Sequence, residues 1–292
     1  MATRPTLPYF APAHILPAPL PTLADILAST KVLSAPGKTR VVRVGNHFAV
    51  KYGKDVQLQE GENMLFVQQS STVPVPTVYA LFYDDDTDKN FIIYEFIPGR
   101  KLSAVWRDLC TADKMAIASQ LRRNMDELRS IPSPGYYGGI WRQPTQDLWF
   151  RDPELMSHPH ANTAISGPQQ TEEQWTESMW RCLDTRSKTA RRQYDFLSIR
   201  RRHYHPIFKG HKPVFTHSDF GPENMILRED NKTVVLIDWE QSGWYPCYWE
   251  YCNAMFLVDY RDDWGEWLPE ILDEYVAELG WMAFHREFLL FY

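Results

Sequence analysis

Three polar residues, His217, Asp219 and Asn224, stand in an H-x-D-x-x-x-x-N pattern, and Asp238 follows at the end of an apolar run. Phosphoryl transfer from ATP needs groups of these types: an acidic base beside the acceptor hydroxyl, and an amide oxygen plus a carboxylate that hold Mg²⁺ against the phosphates. Mg²⁺ takes few protein oxygens and keeps several waters, so one Asp and one Asn suffice. Asp and Asn also stabilise turns, but the spacing and the second aspartate together favour the catalytic interpretation.

Short β-strands are predicted on both sides of these residues. Residues 213–216 are predicted to form a strand that enters the loop, and residues 225–227 a strand that leaves it. A polar turn separates the second strand from the β-branched, apolar run 233–237, which is typical of a buried strand. A hairpin of the last two strands would bring the Asn224 end beside the Asp238 end.

This segment resembles the catalytic core of the aminoglycoside phosphotransferase (APH) and choline kinase-like phosphotransferases, a branch of the protein-kinase-like fold. The following residues, 239–251, resemble a signature of phosphotransferase-family proteins from filamentous fungi. The resemblance covers roughly residues 30 to 290. It implies an α+β, bilobal protein-kinase-like fold, with a small β-rich N-terminal lobe and a larger, mainly helical C-terminal lobe.

The same resemblance implies a role for each polar residue of the pattern. Asp219 would be the catalytic base, and Asn224 and Asp238 would be the Mg²⁺ ligands. His217 would organise the backbone of the catalytic loop. The implied cofactors are ATP and Mg²⁺.

Four departures from protein kinases are informative. Ser218 stands where protein kinases carry an arginine, and Gly221 stands where they commonly carry a phosphate-contacting lysine. Trp239 and Glu240 follow Asp238 in place of Phe-Gly, and no Ala-Pro-Glu segment follows. These differences favour a small-molecule kinase that is not switched by phosphorylation of its own loop.

An ATP-binding lobe is expected upstream of this core. Residues 40–44 and 47–51 are predicted to form a hairpin turned by Gly45-Asn46. Lys51 ends the second strand in an Ala-Val-Lys sequence that resembles the kinase Val-Ala-x-Lys element, which would make it the ligand of the α- and β-phosphates. A lysine at a strand end is usually a solvated charge, so the functional interpretation depends on the downstream core.

The partner of Lys51 is expected to be a carboxylate on a helix over residues 56–69. Glu60 shares a helix face with apolar residues four and seven positions later, so it can point inward under the sheet. Glu62 remains an alternative.

The phosphate-covering loop and the adenine site are less clearly marked. No Gly-x-Gly-x-x-Gly sequence precedes Lys51, and the weak candidates for the loop are Pro36-Gly37-Lys38 and Gly45-Asn46. The apolar residues 91–94 are predicted to form a strand that leads into a segment resembling the hinge between the lobes. Its backbone groups would hydrogen-bond adenine at Glu95, Phe96 and Ile97.

Length and composition fit two lobes better than independent modules. With 292 residues, of which 44% are hydrophobic, the chain can bury on the order of three quarters of its unfolded surface. The predicted organisation begins with a proline-rich arm over residues 1–29, extended or disordered at first and followed by a short helix near residues 23–29. An ATP-binding lobe over 30–97, with its hinge near 94–98, and a catalytic and substrate-binding lobe over 98–292 follow.

Several classes of protein are disfavoured. The four cysteines are too scattered for a disulfide framework or a zinc ribbon. The first 22 residues lack the continuous apolar region of a signal peptide, and no run approaches transmembrane length. We therefore expect a cytoplasmic monomer or weak dimer with no membrane partner and no nucleic-acid partner.

The substrate side is the least determined part. Residues 111–129 are predicted to form a core helix, and residues 132–170 lack regular periodicity and are interpreted as a substrate-flanking loop. The basic stretch 181–212 is either a solvated helix face or a cleft wall that would repel a polycationic acceptor. The opposite interpretation, attraction of an amine, depends on the acidic residues Glu240, Glu250, Asp259, Asp262 and Asp263.

The sequence thus predicts an ATP-dependent kinase that phosphorylates a hydroxyl of a small metabolite or antibiotic-like acceptor. Two alternatives stay open: a kinase-fold protein that binds nucleotide without transfer, and a biosynthetic enzyme that uses the fold for other chemistry. The sequence does not identify the acceptor.

Overall fold

The computed structural model describes residues 2–34, 39–150, 167–189, 206–230, 232–259 and 261–291. The chain divides into two compact units, each built from two separate segments: Met1–Val105 with Pro222–Glu240, and Trp106–Gly221 with Gln241–Tyr292. The predicted loop candidate Pro36-Gly37-Lys38 lies outside the described residues. So do residues 151–166 of the predicted substrate-flanking loop and residues 190–205 of the basic stretch.

The β-strands are short, and most were expected from apolar, β-branched runs. In chain order they are β1 Tyr9–Phe10, β2 Arg40–Val44, β3 Phe48–Gly53, β4 Val78–Asp84, β5 Lys89–Glu95, β6 Gly99–Lys101, β7 Pro213–Thr216, β8 Met225–Arg228, β9 Val234–Leu236 and β10 Gly243–Pro246. The helices are α1 Leu23–Ala28, α2 Gln59–Ser70, α3 Thr111–Ser130, α4 Glu172–Thr189, α5 Trp249–Phe256, α6 Trp264–Ile271 and α7 Val276–Phe291.

The first unit is organised by an antiparallel sheet in the order β1-β4-β5-β3-β2. The predicted β2–β3 hairpin is present, with Val41 opposite Lys51 and Val42 opposite Val50. Every residue of β3 is buried, because this strand pairs with β2 on one side and with β5 on the other. Helix α2 follows β3 and begins at Gln59, three residues later than position 56 where the sequence predicted it.

The proline-rich arm is ordered by contacts with the rest of the first unit. Its strand β1 adds to the sheet beside β4, with Tyr9 opposite Leu81. Arg4 pairs with Glu62 on α2 at 2.9 Å, and the Thr3 N–H donates to the side chain of Gln69 at 3.0 Å. Of the two predicted alternatives for the arm, extended or disordered, the structure has the extended one at Tyr9–Phe10, where pairing with β4 satisfies backbone groups. The predicted short helix is α1.

A second, smaller sheet of the first unit has the order β6-β8-β9. Its β8–β9 pair is the predicted hairpin, with Met225 opposite Leu236. This hairpin is predicted to belong to the lobe of residues 98–292, whereas the structure groups residues 222–240 with the N-terminal segment. The reason is pairing of β8 with β6 and a 3.2 Å hydrogen bond from the Leu236 N–H to the Pro74 carbonyl. The predicted lobe boundaries stay predictions.

The second unit combines helices α3 to α7 with the antiparallel pair β7–β10. Its core is aromatic: the ring of Trp175 meets those of Phe150, Tyr245 and Trp249 at centroid distances of 4.6, 5.3 and 5.1 Å. Among the described residues, none of the helices combines the length and apolar character needed to cross a membrane.

Candidate active site

Lys51 lies in a partly buried charge cluster of the first unit. Its Nζ atom is 2.6 Å from Glu60 Oε2, and further contacts reach Asp238 Oδ1 at 3.1 Å and Glu240 Oε2 at 3.2 Å. The Lys51 side chain is 9% exposed and that of Glu60 is 4% exposed. The ion pair expected from the inward helix face is therefore present, while the alternative, Glu62, contacts Arg4.

Consecutive elements bring this pair together. Lys51 stands in the middle of the sheet, between Val41 of β2 and Ile92 of β5. Glu60 lies in the first turn of α2, where the helix dipole favours a carboxylate. The Asn63 side-chain amide donates to the Trp239 carbonyl at 2.7 Å, which ties the same helix to the residue that follows Asp238.

The cluster combines one ammonium group with three carboxylates. Burial by itself would lower the pKa of Lys51, but Glu60, Asp238 and Glu240 outweigh that effect and hold the pKa above its ordinary value. Burial raises the pKa of Glu60, and the Lys51 ammonium opposes this rise. The carboxylates outnumber the ammonium three to one, and one oxygen of each lies within 4.8 Å of the others.

The β8–β9 hairpin brings the backbone of Asn224 beside that of Asp238. The N–H of Ile237 donates to the Asn224 carbonyl at 2.9 Å. Asp238 itself has a φ of +64°, a conformation that is uncommon outside glycine and clusters at functional sites. Its side chain is 39% exposed, so the carboxylate is accessible.

A cavity of about 470 Å³ adjoins the cluster within the first unit. This volume is in the usual range for small-molecule sites. The predicted nucleotide and metal residues that line it are Lys51, Glu60, Glu95, Phe96, Ile97, Asn224 and Asp238, and Leu33, Ser34, Val41, Ala49, Met64, Pro76, Tyr94, Gly99, Lys101, Ile226 and Ile237 complete the wall.

The predicted hinge segment presents few free backbone donors to this cavity. The N–H of Glu95 donates to the Thr77 carbonyl and that of Phe96 to the His47 carbonyl, both at 2.8 Å. The Glu95 carboxylate accepts from Arg228 at 3.0 Å. Among the three predicted hinge residues, the Ile97 N–H is the remaining backbone donor.

Asp219 belongs to the second unit, on the loop that follows β7. The N–H of Asp219 donates to His217 Nδ1 at 3.3 Å, and His217 is 1% exposed. The buried Glu250 carboxylate accepts from the N–H groups of His217 at 2.6 Å and Ser218 at 2.9 Å. The loop backbone is thus held by two side chains, one of which is the predicted organiser His217.

Asp147 is a buried site residue that is not among those predicted from the sequence. This residue is 0% exposed, and its carboxylate accepts hydrogen bonds from the Ser218 hydroxyl and from Trp249 Nε1 at 2.8 Å. Burial raises the pKa of Asp147, against the lowering effect of these hydrogen bonds. It lies in the aperiodic stretch 132–170, where no local pattern marks it. Through Asp147, the described part of that stretch contacts the loop that carries Asp219.

The sequence matches the family model of APH, the phosphotransferase enzyme family, over residues 24–288. The chain belongs to this family. The match spans both units described above, so the resemblance carried by the catalytic segment is confirmed for most of the sequence. No match was found among the curated proteins.

Solved aminoglycoside phosphotransferases share the fold of this phosphotransferase. The GDP complex of aminoglycoside 2'-phosphotransferase-IIIa is 14% identical, with a TM-score of 0.58 over 89% of this chain and 83% of that chain. ADP-bound APH(2'')-Ib is 19% identical, with a TM-score of 0.55 over 88% and 80%. The streptomycin-ATP complex of APH(2")-IIa is 18% identical, with a TM-score of 0.53 over 88% and 80%. At these identities the likeness shows the fold alone, and it confirms the predicted α+β protein-kinase-like fold.

The acidic residues that could attract an amine acceptor all have intramolecular partners in this phosphotransferase. Glu250 is 0% exposed and occupied by backbone N–H groups, so the amine interpretation does not fit it. The other four acids also have partners: Glu240 pairs with Lys51, Asp259 with Arg261 and Asp263 with Lys114, and Asp262 accepts from the Trp264 N–H. At the start of the basic stretch, Arg181 is 57% exposed and pairs with Glu177 along the α4 surface.

Proposed function

We propose that this phosphotransferase moves the γ-phosphoryl group of ATP to a hydroxyl group of a small molecule. The observation that carries the proposal is the 2.6 Å ion pair of Lys51 with Glu60 at the wall of a cavity that also reaches Asn224 and Asp238. A lysine held by a buried glutamate presents its ammonium to phosphates in a fixed position, which is the arrangement that phosphoryl transfer by positioning requires.

The nucleotide is proposed to occupy the cavity of the first unit. The apolar side chains of Val41, Ala49 and Ile237 line it and suit the faces of an adenine ring. The Ile97 N–H is the proposed hydrogen-bond donor to adenine, because the N–H groups of Glu95 and Phe96 already have protein acceptors. Lys51 is proposed to contact the α- and β-phosphates.

The oxygen donors beside Lys51 fit Mg²⁺. Asn224 and Asp238 are the proposed ligands, and Glu240 offers a third oxygen near Asp238. Mg²⁺ prefers such hard oxygen donors and retains water in its remaining positions. When bound, it would supply neutralisation of phosphate charge.

Asp219 is proposed to accept the proton of the acceptor hydroxyl. Two features support this role: its spacing before Asn224 and the hydrogen bonds that hold its loop through His217 and Glu250. The acceptor is proposed by class only, as a small metabolite or an antibiotic-like alcohol. We further propose a cytoplasmic monomer or weak dimer without membrane or nucleic-acid partners.

A labelling experiment tests the function directly. The purified protein is incubated with Mg²⁺ and γ-labelled ATP and with a panel of hydroxylated small molecules that includes aminoglycosides, amino alcohols and sugars. ADP formation and label transfer are measured together, and ATP binding is measured separately by calorimetry. We expect Mg²⁺-dependent ATP binding and transfer of label to at least one alcohol, with transfer absent in an Asp219→Asn variant that still binds ATP.

The alternatives give different results in the same experiment. ATP binding with neither ADP formation nor label transfer over a broad panel would favour a nucleotide-binding protein that does not transfer phosphate. ATP-dependent conversion of an acceptor without phosphorylated product would favour other chemistry on this fold. No ATP binding at all would contradict the proposal.

A further inference from the structure

Ser218, the residue immediately before Asp219, has a backbone φ of +75°. This left-handed conformation suits glycine, but for a residue with a Cβ atom it costs about 1–2 kcal/mol. A residue held in such a conformation is expected to be stabilised by its surroundings. Ser218 is 3% exposed, so this stabilisation comes from protein groups.

The Ser218 hydroxyl lies in a buried hydrogen-bond network of the second unit. It donates to Asp147 Oδ2 and accepts from Trp249 Nε1 at 3.0 Å. Asn253 Nδ2 donates to the same hydroxyl at 3.1 Å and to the Ser218 carbonyl at 3.2 Å. We call Asp147, Trp249 and Asn253 the anchor network.

The members of the anchor network are hydrogen-bonded to one another and to Trp149. Besides Ser218, the Asp147 carboxylate accepts from Trp249 Nε1 at 2.8 Å and from the N–H of Trp149 at 2.8 Å. Trp149 Nε1 in turn donates to Asn253 Oδ1 at 2.9 Å. Because Asp147 and Trp249 are 0% exposed, these hydrogen bonds act in a low dielectric, where each is stronger than it would be in water.

The backbone around Ser218 is held by Asn253 of the anchor network and by two further side chains, Glu250 and His217. The Ser218 N–H donates to Glu250 at 2.9 Å, its carbonyl accepts from Asn253, and the next N–H, that of Asp219, donates to His217 at 3.3 Å. Both peptide groups that flank Ser218 are therefore held. The direction in which the chain presents the Asp219 side chain follows from the dihedral angles of Ser218.

We propose that the anchor network holds Ser218 in its left-handed conformation and thereby sets the direction of the Asp219 carboxylate for phosphoryl transfer. The inference rests on the proposed function, since it gives Asp219 the role of base. Ser218 and Asp147 are positioning residues in this scheme, because they act through the backbone of Asp219 and do not touch the acceptor.

A matched pair of variants at residue 218 separates this role from ordinary core stability. Ser218→Ala and Ser218→Gly both remove the hydroxyl, so both take the same hydrogen bonds from Asp147 and Trp249. They differ in the backbone, because glycine adopts positive φ readily and alanine does not. If the hydroxyl matters by holding the conformation, glycine should compensate for its loss and alanine should not.

The expected result is a difference in kcat with unchanged nucleotide binding. Ser218→Ala should lower kcat about 10- to 100-fold, the scale of effect that misplacing a catalytic group produces, while Ser218→Gly should stay within about threefold of the parent. The ATP dissociation constant should be the same for parent and both variants. Equal kcat values for the two variants, whether high or low, would overturn the proposal.

A second comparison tests whether Asp147 acts through Ser218. Asp147→Asn should reduce kcat strongly in the parent and much less in the Ser218→Gly background, because a glycine adopts the left-handed conformation without the anchor network. Equal effects in both backgrounds would show that Asp147 acts by another route. If Asp147→Asn does not fold, which circular dichroism detects, the alanine-glycine pair alone decides.

Failure of the proposed function gives a different signature. A parent protein that transfers no phosphate contradicts Asp219 as a base, but crystal structures of the two Ser218 variants still test the anchor. Residue 218 should keep a positive φ in Ser218→Gly and leave that region in Ser218→Ala. A positive φ retained by alanine would overturn the anchor itself.

Discussion

Asp219 is expected to control turnover without controlling ATP binding. It belongs to the second unit, whereas the residues that line the cavity belong to the first. Changing Asp219 to Asn removes the basic carboxylate and keeps its size. The single-turnover rate should then fall by ~10²–10⁴-fold, the usual contribution of a positioned general base, while calorimetry should give an unchanged ATP dissociation constant. Equal single-turnover rates would remove Asp219 from the mechanism, and a variant that also lost ATP would give it a metal-binding or structural role.

Asp238, in contrast to Asp219, is expected to control the Mg²⁺-dependent binding of ATP. Its Oδ1 atom lies 3.1 Å from Lys51 Nζ. The carbonyl of Asn224 accepts a hydrogen bond from the N–H of Ile237, the residue before Asp238. Changing Asp238 to Ala should abolish the tightening of ATP binding by Mg²⁺, which calorimetry with and without Mg²⁺ measures. Glu229→Ala is the matched control, because Glu229 is an exposed carboxylate in the turn of the same hairpin. A variant at Asp238 that binds ATP-Mg as well as the parent would disprove the metal assignment.

At the scale of elements, helix α2 is held from two sides. One face carries Glu60 toward Lys51, and Glu62, two residues later, contacts Arg4 of the N-terminal arm. The Glu62 side chain is 2% exposed, and a buried carboxylate that loses a charged partner is costly. The arm therefore contributes to the stability of the helix that positions Glu60.

The contribution of the arm can be measured with one arginine variant and one lysine variant as its control. Arg4→Ala should lower the free energy of unfolding by ~1–2 kcal/mol. This is somewhat less than a hydrogen bond to a charged group usually contributes, because Arg4 is half-exposed and solvent weakens its ion pair. Lys54→Ala is the control: Lys54 also pairs with an acid of the first unit, Asp88, but both side chains are more than half exposed. Its effect on the free energy of unfolding should be clearly smaller than that of Arg4→Ala, because solvent screens an exposed ion pair. Urea denaturation followed by tryptophan fluorescence gives both values, and equal losses would show that the Arg4 contact is an ordinary surface ion pair.

At the scale of the whole molecule, the first unit is assembled from two distant segments of the chain. The cavity takes lining residues from both, among them Lys51 from the first segment and Asp238 from the second. Mg²⁺-ATP binding should therefore slow amide hydrogen exchange in β3, in residues 94–97 and in residues 224–238 together. Helix α3 of the second unit provides the comparison, and its exchange should change least.

Hydrogen exchange measured by mass spectrometry, with Mg²⁺ alone as the reference state, checks this prediction. Slower exchange confined to the N-terminal segment would contradict the assignment of residues 224–238 to the nucleotide site. The Asp238→Ala variant should lose the slowing in both segments if Mg²⁺ bound there is what tightens ATP.

The sequence by itself determined the parts of the site that local pattern encodes. The spacing of His217, Asp219 and Asn224 is a property of one loop, and the β8–β9 hairpin follows from two apolar runs separated by a polar turn. The pairing of Lys51 with Glu60 was also predictable, because a strand and the next helix are neighbours in the chain and the 3.6-residue period indicates which side of the helix faces inward.

Only the tertiary structure decided which distant polar groups support that site. The partners of the hydrogen bond between Ser218 and Asp147 are 71 residues apart, those of the contact between Arg4 and Glu62 are 58 apart, and Glu240 reaches Lys51 across 189 residues. Such contacts leave no periodic pattern in the sequence. Each one joins a single side chain from each of two distant segments, and only the packing of the folded chain brings the two side chains together. The assignment of the hairpin to the first unit has the same origin: a strand's own sequence does not specify which other strand supplies its hydrogen-bond partners, so the pairing of β8 with β6 became visible only in the folded chain.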